Sequence, residues 1–325
     1  MVRKKQRPAP GRFFYRLRYR IGEHMLRCFI KVLPRIPYWL ALAVTRFMAR
    51  VSFALLWRFR RRMQENVAAV LSQEIPDAAE RTNLVWRAWG NFARIVLDTA
   101  EAIHFSRARM LSTVTLEGEE HLKRALDKGR GVIALSAHLG GFTMIGPRLA
   151  ATGFPFSVVV KQPTDERFAG LVDAYRAQAG VHTISAKPRR EAVRGILQAL
   201  RENRIVLVIA DEFKSGDVIV DFMGLKVPAP RGPATLALRT GAVTLPMFAV
   251  RQPDGSLKLS VGAPIAPVQR TTLEESVVAT TALYTRHLET VIRRFSDQWN
   301  WLGLPRRDRR LSRADIARMK KTVRA

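Results

Sequence analysis

An α/β fold with a mainly parallel central sheet flanked by helices is predicted by three observations. Short apolar runs of strand length, Val132 to Ala137, Ile205 to Ala210 and Val243 to Val250, are bounded by turn formers or charged residues. Strands covered on both faces look like this. Helix-period segments separate these runs from residue 119 onward, and alternation of strand and helix is the pattern of a parallel sheet packed between helices. Finally, 325 residues, 47% of them hydrophobic and 25% charged, suffice for one large domain or two small ones with a buried core.

Taken in order, residues 1–20 are basic, carry Pro8 and Pro10, and are expected to fray. Residues 22–57 predict one or two helices interrupted by Pro34 and Pro37. A basic knot at 58–62 precedes a short helix at 63–71. The spacing of Leu84, Trp86, Trp89, Phe92, Ile95 and Val96 predicts a long scaffold helix over 79–105. Helix 119–128 then leads to strand 131–137, helix 143–151 to strand 155–161, helix 166–179 to strand 181–185, and helix 189–202, opened by Pro188, to strand 204–210. A short β excursion at 217–222 and 225–227 is followed by helix 233–240 and strand 243–250. Asp254-Gly255 predicts a hairpin turn into strand 256–261, and a last helix spans 273–295. The organisation is therefore a basic, apolar N-terminal helical segment (1–63), an α/β domain (64–305) and a basic tail (306–325).

The net charge of +28 is concentrated at the ends. Residues 1–63 carry 17 Lys/Arg against Glu23, and residues 306–325 carry 9 against Asp308 and Asp315, which leaves only +5 on the remainder. Basic ends of this kind attract anionic surfaces, and aromatic and apolar content decides which. Ile36 to Thr45 and Val51 to Trp57 are uncharged, broken only by Arg46 and Arg50 on one helix face. Two mid-helix arginines are costly across a bilayer. A helix lying in the interface, with Trp39, Phe47, Phe53 and Trp57 toward the acyl chains, fits better; an ordinary core helix with two snorkelling arginines is the other reading. The expected partner is an anionic membrane surface and not nucleic acid, for which no recognition motif is present. The basic flank predicts a cytoplasmic N-terminus. A single cysteine, Cys28, excludes an internal disulfide.

The chemistry centres on Gly131-Val-Ile-Ala-Leu-Ser-Ala-His-Leu-Gly-Gly141. It places His138 at the carboxyl end of a central strand, where open α/β sheets bind ligands. A histidine there suits general-base work, because its ordinary pKa lies near neutrality. Such a base needs a group to fix its tautomer, and a carboxylate five residues on is the usual arrangement; that position is Thr143, a hydroxyl without charge. Asp211 and Glu212, at the end of the 204–210 strand, are the other candidates. Lys161 ends a second strand and is suited to an oxyanion or phosphate. Arg231, in Pro228-Ala-Pro-Arg-Gly-Pro233, stands beside a helix start that favours anions. Lys187, Arg189 and Arg190 stand at another. The remaining histidines show no metal-ligand spacing, and the chain has neither dinucleotide nor P-loop glycine fingerprints nor a nucleophile elbow.

Together Gly131 to Gly140, Val160-Lys-Gln162, Val208-Ile-Ala-Asp-Glu212, Asp221-Phe-Met-Gly224, Pro230 to Pro246 and Trp299-Asn-Trp301 resemble, in order and spacing, the bacterial lipid A late acyltransferases of the wider lysophospholipid acyltransferase superfamily. The resemblance runs from about Arg12 to Trp301. It implies a glycerolipid acyltransferase-like fold and an enzyme on the cytoplasmic face of the inner membrane. That enzyme moves a fatty acyl group from acyl carrier protein or coenzyme A to a lipid hydroxyl, with the thioester as co-substrate and no bound cofactor or metal. By resemblance His138 is the base, Asp211 supports it, Lys161 stands where the family has an arginine, and Arg231 falls in a matching segment, with Glu212 beside the substrate. Four departures bear on the resemblance: Thr143 for the acid, Gly141-Phe142 for Asn-Trp, Lys161 for arginine, which removes bidentate geometry, and Gly303-Leu-Pro305 for a His-Arg-Arg ending. Three outcomes stay open: another acid orients His138, the histidine acts unaided on an activated thioester, or catalysis is impaired and lipid or partner binding remains.

Overall fold

The computed structural model describes residues 12–305 except Ser215, with side chains from residue 19. The expected frayed start at residues 1–11 and the basic tail at 306–325 lie outside the described residues. Helix α1 (Arg12–Val32) ends in a 3-10 turn at Leu33–Arg35, and α2 (Tyr38–Leu55) follows Pro37. The two prolines thus separate the helices as the sequence predicts, but helix begins earlier than the expected frayed stretch allowed. Helix α3 (Trp57–Leu71) takes in the basic knot. Helix α4 (Ala78–Ala102) starts where the Asp77 carboxylate accepts from the Ala79 and Glu80 amides.

Helix α5 (Arg107–Thr113) and strand β1 (Val114–Glu117) come next and have no counterpart in the sequence reading. With only Val114 of β1 buried, the strand shows no apolar run. The alternating part then runs α6 (Glu119–Leu126), β2 (Val132–Ser136), α7 (Ile145–Thr152), β3 (Phe156–Val160), α8 (Glu166–Gln178), β4 (Val181–Ser185), α9 (Arg189–Arg201) and β5 (Ile205–Ile209). An antiparallel ribbon, β6 (Val218–Phe222) with β7 (Leu225–Ala229), leads to α10 (Gly232–Thr240). The hairpin of β8 (Val243–Arg251) and β9 (Leu257–Val261) is followed by α11 (Leu273–Arg294), opened by a Thr272/Glu275 capping box.

Seven strands form one sheet in the order β1-β9-β8-β2-β5-β3-β4, parallel at every pairing but β8 with β9. The expected α/β architecture is the observed one. Every residue of β2 is buried. Its side chains alternate between two cores: Ile133 and Leu135 pack with α3, α4, α10 and α11, while Val132 and Ala134 pack with α6 and α7. Strand β2 lies between β5 and β8, so its carboxyl end opens at the centre of the sheet edge.

The N-terminal helices stand partly outside this body. A small cluster of Leu33, Ala41, Leu97 and Ala100 seats α2 on α4. Away from this contact α2 is bare: Trp39 is 69% and Phe47 61% exposed. Among the described residues, α2 is the one helix long and apolar enough to cross a membrane.

Candidate active site

Strands β2 and β5 pair in parallel with Ser136 opposite Ile209. Two residues further along each chain lie His138 and Asp211, so the register sets them side by side at the strand ends. The His138 Nδ1 stands 2.8 Å from Asp211 Oδ1. The other carboxylate oxygen, Oδ2, accepts from the His138 backbone N–H at 2.8 Å and from the Trp299 indole N–H at 2.7 Å. Asp211 is only 1% exposed, and its oxygens are held by three donors. An ionised carboxylate only accepts, so Nδ1 carries the proton and Nε2 keeps its lone pair. The His138 side chain is 27% exposed and meets the edge of Phe142, ring centres 5.1 Å apart.

Burial lowers the pKa of His138, but the Asp211 hydrogen bond and charge, with the charge of Glu212, outweigh it and the opposing Lys214; the net shift is upward from the ordinary 6.5. A fixed carboxylate thus stabilises the protonated imidazole, and Nε2 is the ring nitrogen left able to take a proton.

Trp299 is the residue the sequence reading left without a role. Its chain segment lies antiparallel to the loop after β2: Leu139 bridges Trp299, Gly140 N–H donates to Gln298 O, and Asn300 N–H donates to His138 O. Helix α3 holds this strap. Arg62 donates to the Leu302 and Leu304 carbonyls, and Asn66 Nδ2 to Trp301 O at 2.7 Å. A buried indole N–H needs an acceptor, which is the signal that could have led from Trp299 to an acid.

Gly140 makes the turn. Its φ is +57°, and a Cβ there would lie 2.1 Å from Ala249 O. Gly140→Ala should therefore cost about 2–4 kcal/mol, read as a lowered denaturant midpoint. An unchanged midpoint would mean that the turn relaxes freely.

The other expected site residues are placed as follows. Thr143, in a 3-10 turn (Phe142–Met144) that replaces the predicted helix start, bonds Thr99 Oγ1 of α4 at 2.8 Å, and no hydrogen bond joins it to His138. Thr143→Val should change turnover by less than about threefold, since the hydrogen bond it loses is worth only about 1 kcal/mol. A hundredfold loss in a rate assay would put Thr143 in the machinery. Glu212 is exposed, 4.0 Å from Lys214, and acts on His138 through its charge. Lys161 is exposed at the end of β3, two strands from β2. Arg231 pairs with Glu274 of α11 and makes no hydrogen bond to the His138–Asp211 pair. Among the described residues no group of acidic, Cys and His side chains is set to hold a metal.

A model of the bacterial lipid A biosynthesis acyltransferase family matches residues 14–306. Two phosphatidylinositol mannoside acyltransferases are similar to this chain. The one from Mycolicibacterium smegmatis is 26% identical over 195 residues, covering 59% of this chain and 64% of the relative. The one from Mycobacterium tuberculosis is 30% identical over 189 residues, covering 57% and 59%. The matches thus span less than two-thirds of the length of these relatives. The family match takes in the strand-end histidine, its buried aspartate and the tryptophan strap, and the chain belongs to the bacterial lipid A biosynthesis acyltransferase family.

Proposed function

We propose that this chain transfers a fatty acyl group from a thioester to a hydroxyl of a membrane glycolipid or phospholipid. The observation that carries the proposal is the His138 Nδ1–Asp211 Oδ1 contact of 2.8 Å, with Asp211 Oδ2 held by two further donors. His138 Nε2 takes the proton of the acceptor hydroxyl as its oxygen attacks the thioester carbonyl. The tetrahedral intermediate collapses with cleavage of the C–S bond, and the imidazolium returns the proton to the leaving thiolate. The new ester and the free thiol balance the step, and the proton transfers need no resident cofactor.

The donor is acyl carrier protein or coenzyme A in thioester form. Both carry phosphate, for which Lys161 at the end of β3 and Arg231 at the start of α10 are the assigned contacts, with Glu212 beside His138. The chain works on the cytoplasmic face of the bacterial inner membrane, held by the basic, apolar N-terminal helices. Leu40 and Phe47 of α2, with Trp57 and Phe59 of α3, are bare apolar residues of the kind that enter the acyl boundary, and Trp39 stands at the interface beside them. The alternative, a lipid-binding homologue without turnover, rests on Thr143; the Asp211 contact supports the enzyme over it, because the tautomer-fixing role is supplied from β5.

The test is purified protein with labelled acyl carrier protein and coenzyme A thioesters in a total bacterial lipid extract, products read by mass spectrometry. Labelled lipid esters are expected with one or both donors. No ester with either donor overturns the proposal.

A further inference from the structure

A second feature at the carboxyl edge of the sheet is a cleft of about 730 Å³ between α2, α4 and the turn after β8. Arg46 and Arg50 of α2, Arg87 and Arg94 of α4, and Arg251 of β8 line it. Asp297 is the one carboxylate in the lining and stands 3.5 Å from Arg87. Behind the wall, Asp98 pairs with Arg251 and lies 3.9 Å from Arg94. Five guanidiniums thus face two carboxylates. Arg46 and Arg50 have no hydrogen-bond or ion-pair partner among the described residues, and both are exposed at the mouth.

Their place on α2 indicates what they meet. Residues 39, 46 and 50 share one edge of the helix, between the face seated on α4 and the bare face that carries Leu40 and Phe47. With the bare face in the acyl boundary, this edge lies at the level of lipid headgroups, Trp39 beside it in the position interfacial tryptophans favour. An open cleft with surplus guanidinium, at headgroup depth, is suited to a phosphodiester: guanidinium forks pair its non-bridging oxygens, and the partly desolvated walls strengthen each pair.

We propose that this cleft binds the phosphodiester headgroup of an anionic membrane lipid. The site is separate from the His138–Asp211 pair but touches its support. Asn91 on the cleft floor donates to Gln298 O at 3.2 Å and reaches Gly140 O at 3.4 Å. Those carbonyls belong to the loop after His138 and to the strap before Trp299. A bound headgroup therefore steadies both chain segments that frame the base. The inference rests on the reading that the chain works at a membrane surface, and its test reads binding and not turnover, so that either can fail alone.

The experiment titrates the full chain with dihexanoyl-phosphatidylglycerol, below its micelle concentration, by calorimetry. Saturable binding at one site is expected. R46Q/R50Q should weaken it by at least about tenfold, with an unchanged melting temperature because both side chains are exposed. K31Q/R58Q, which removes the same charge from the exposed faces of α1 and α3 outside the cleft, should change it by less than about twofold. Inorganic phosphate should bind more weakly than the lipid. Equal losses in the two double variants, no saturable binding, or phosphate binding as tightly as the lipid would each overturn the proposal; the last would mark the cleft as a small-anion site.

Discussion

His138→Ala should lower acyl transfer by about 100- to 10,000-fold, the contribution of a positioned general base, with little change in the KM for either substrate. The structure makes this variant clean. Asp211 loses its Oδ1 partner, but Oδ2 keeps the backbone N–H of residue 138 and the Trp299 indole. The buried carboxylate is thus not stripped, and the strap stays seated on its own backbone bonds to 138 and 140. The melting temperature should fall by a few degrees at most. Turnover is measured with labelled thioester, wild type and variant at equal concentration. Activity within about threefold of wild type would remove His138 from the reaction.

The same geometry sets the pH dependence of the wild type. In the proposed mechanism His138 must be neutral to act, and its pKa is raised above 6.5 by the Asp211 hydrogen bond and charge and the Glu212 charge, against burial and Lys214. Activity should therefore rise with pH through a midpoint above 6.5.

Much of this was legible in the sequence. The apolar runs that become β2 and β5, the histidine and the acids at their ends, and the hairpin at Asp254-Gly255 all follow from local pattern and turn chemistry. What the chain order does not contain is the order of strands in the sheet. A spacing rule read along the chain leads from His138 to Thr143, five residues on. The pairing of β2 with β5 leads across the sheet to Asp211, 73 residues away in sequence. Only the second is a hydrogen bond. Trp299 was visible as part of a motif, but its use depends on a strap returning along the loop after β2, held by Arg62 and Asn66 of a helix more than 200 residues earlier. Strand β1 was invisible for a different reason: four residues with one buried side chain leave no period to read. Arg46 and Arg50 were legible as charges out of place in an apolar helix. Their meaning needs α4 and the turn after β8, which complete the cleft.

Asp211→Asn should lower turnover by about 1,000-fold or more, approaching the effect of the corresponding change in a protease triad, about 10,000-fold. The reason lies in how the carboxylate is held. Oδ2 faces two N–H donors, the backbone of His138 and the indole of Trp299. An asparagine must put its oxygen there, since its amide cannot face two donors without leaving both unpaired in a buried site. Its NH2 then points at His138 Nδ1, which has to accept, and the ring proton moves to Nε2. The nitrogen that should take the proton of the lipid hydroxyl arrives already protonated. The fold should persist, because Oδ2 and its donors are satisfied as before. Loss of the negative charge also removes the chief influences that raise the His138 pKa, leaving burial to lower it. Titration of the His138 ring by NMR should accordingly move to lower pH in the variant, while turnover does not recover at any pH. A mere packing defect at 211 would lower melting temperature and turnover together and leave the ring titration near its wild-type midpoint. That outcome, or wild-type turnover in Asp211→Asn, would return the tautomer-fixing role to some other group.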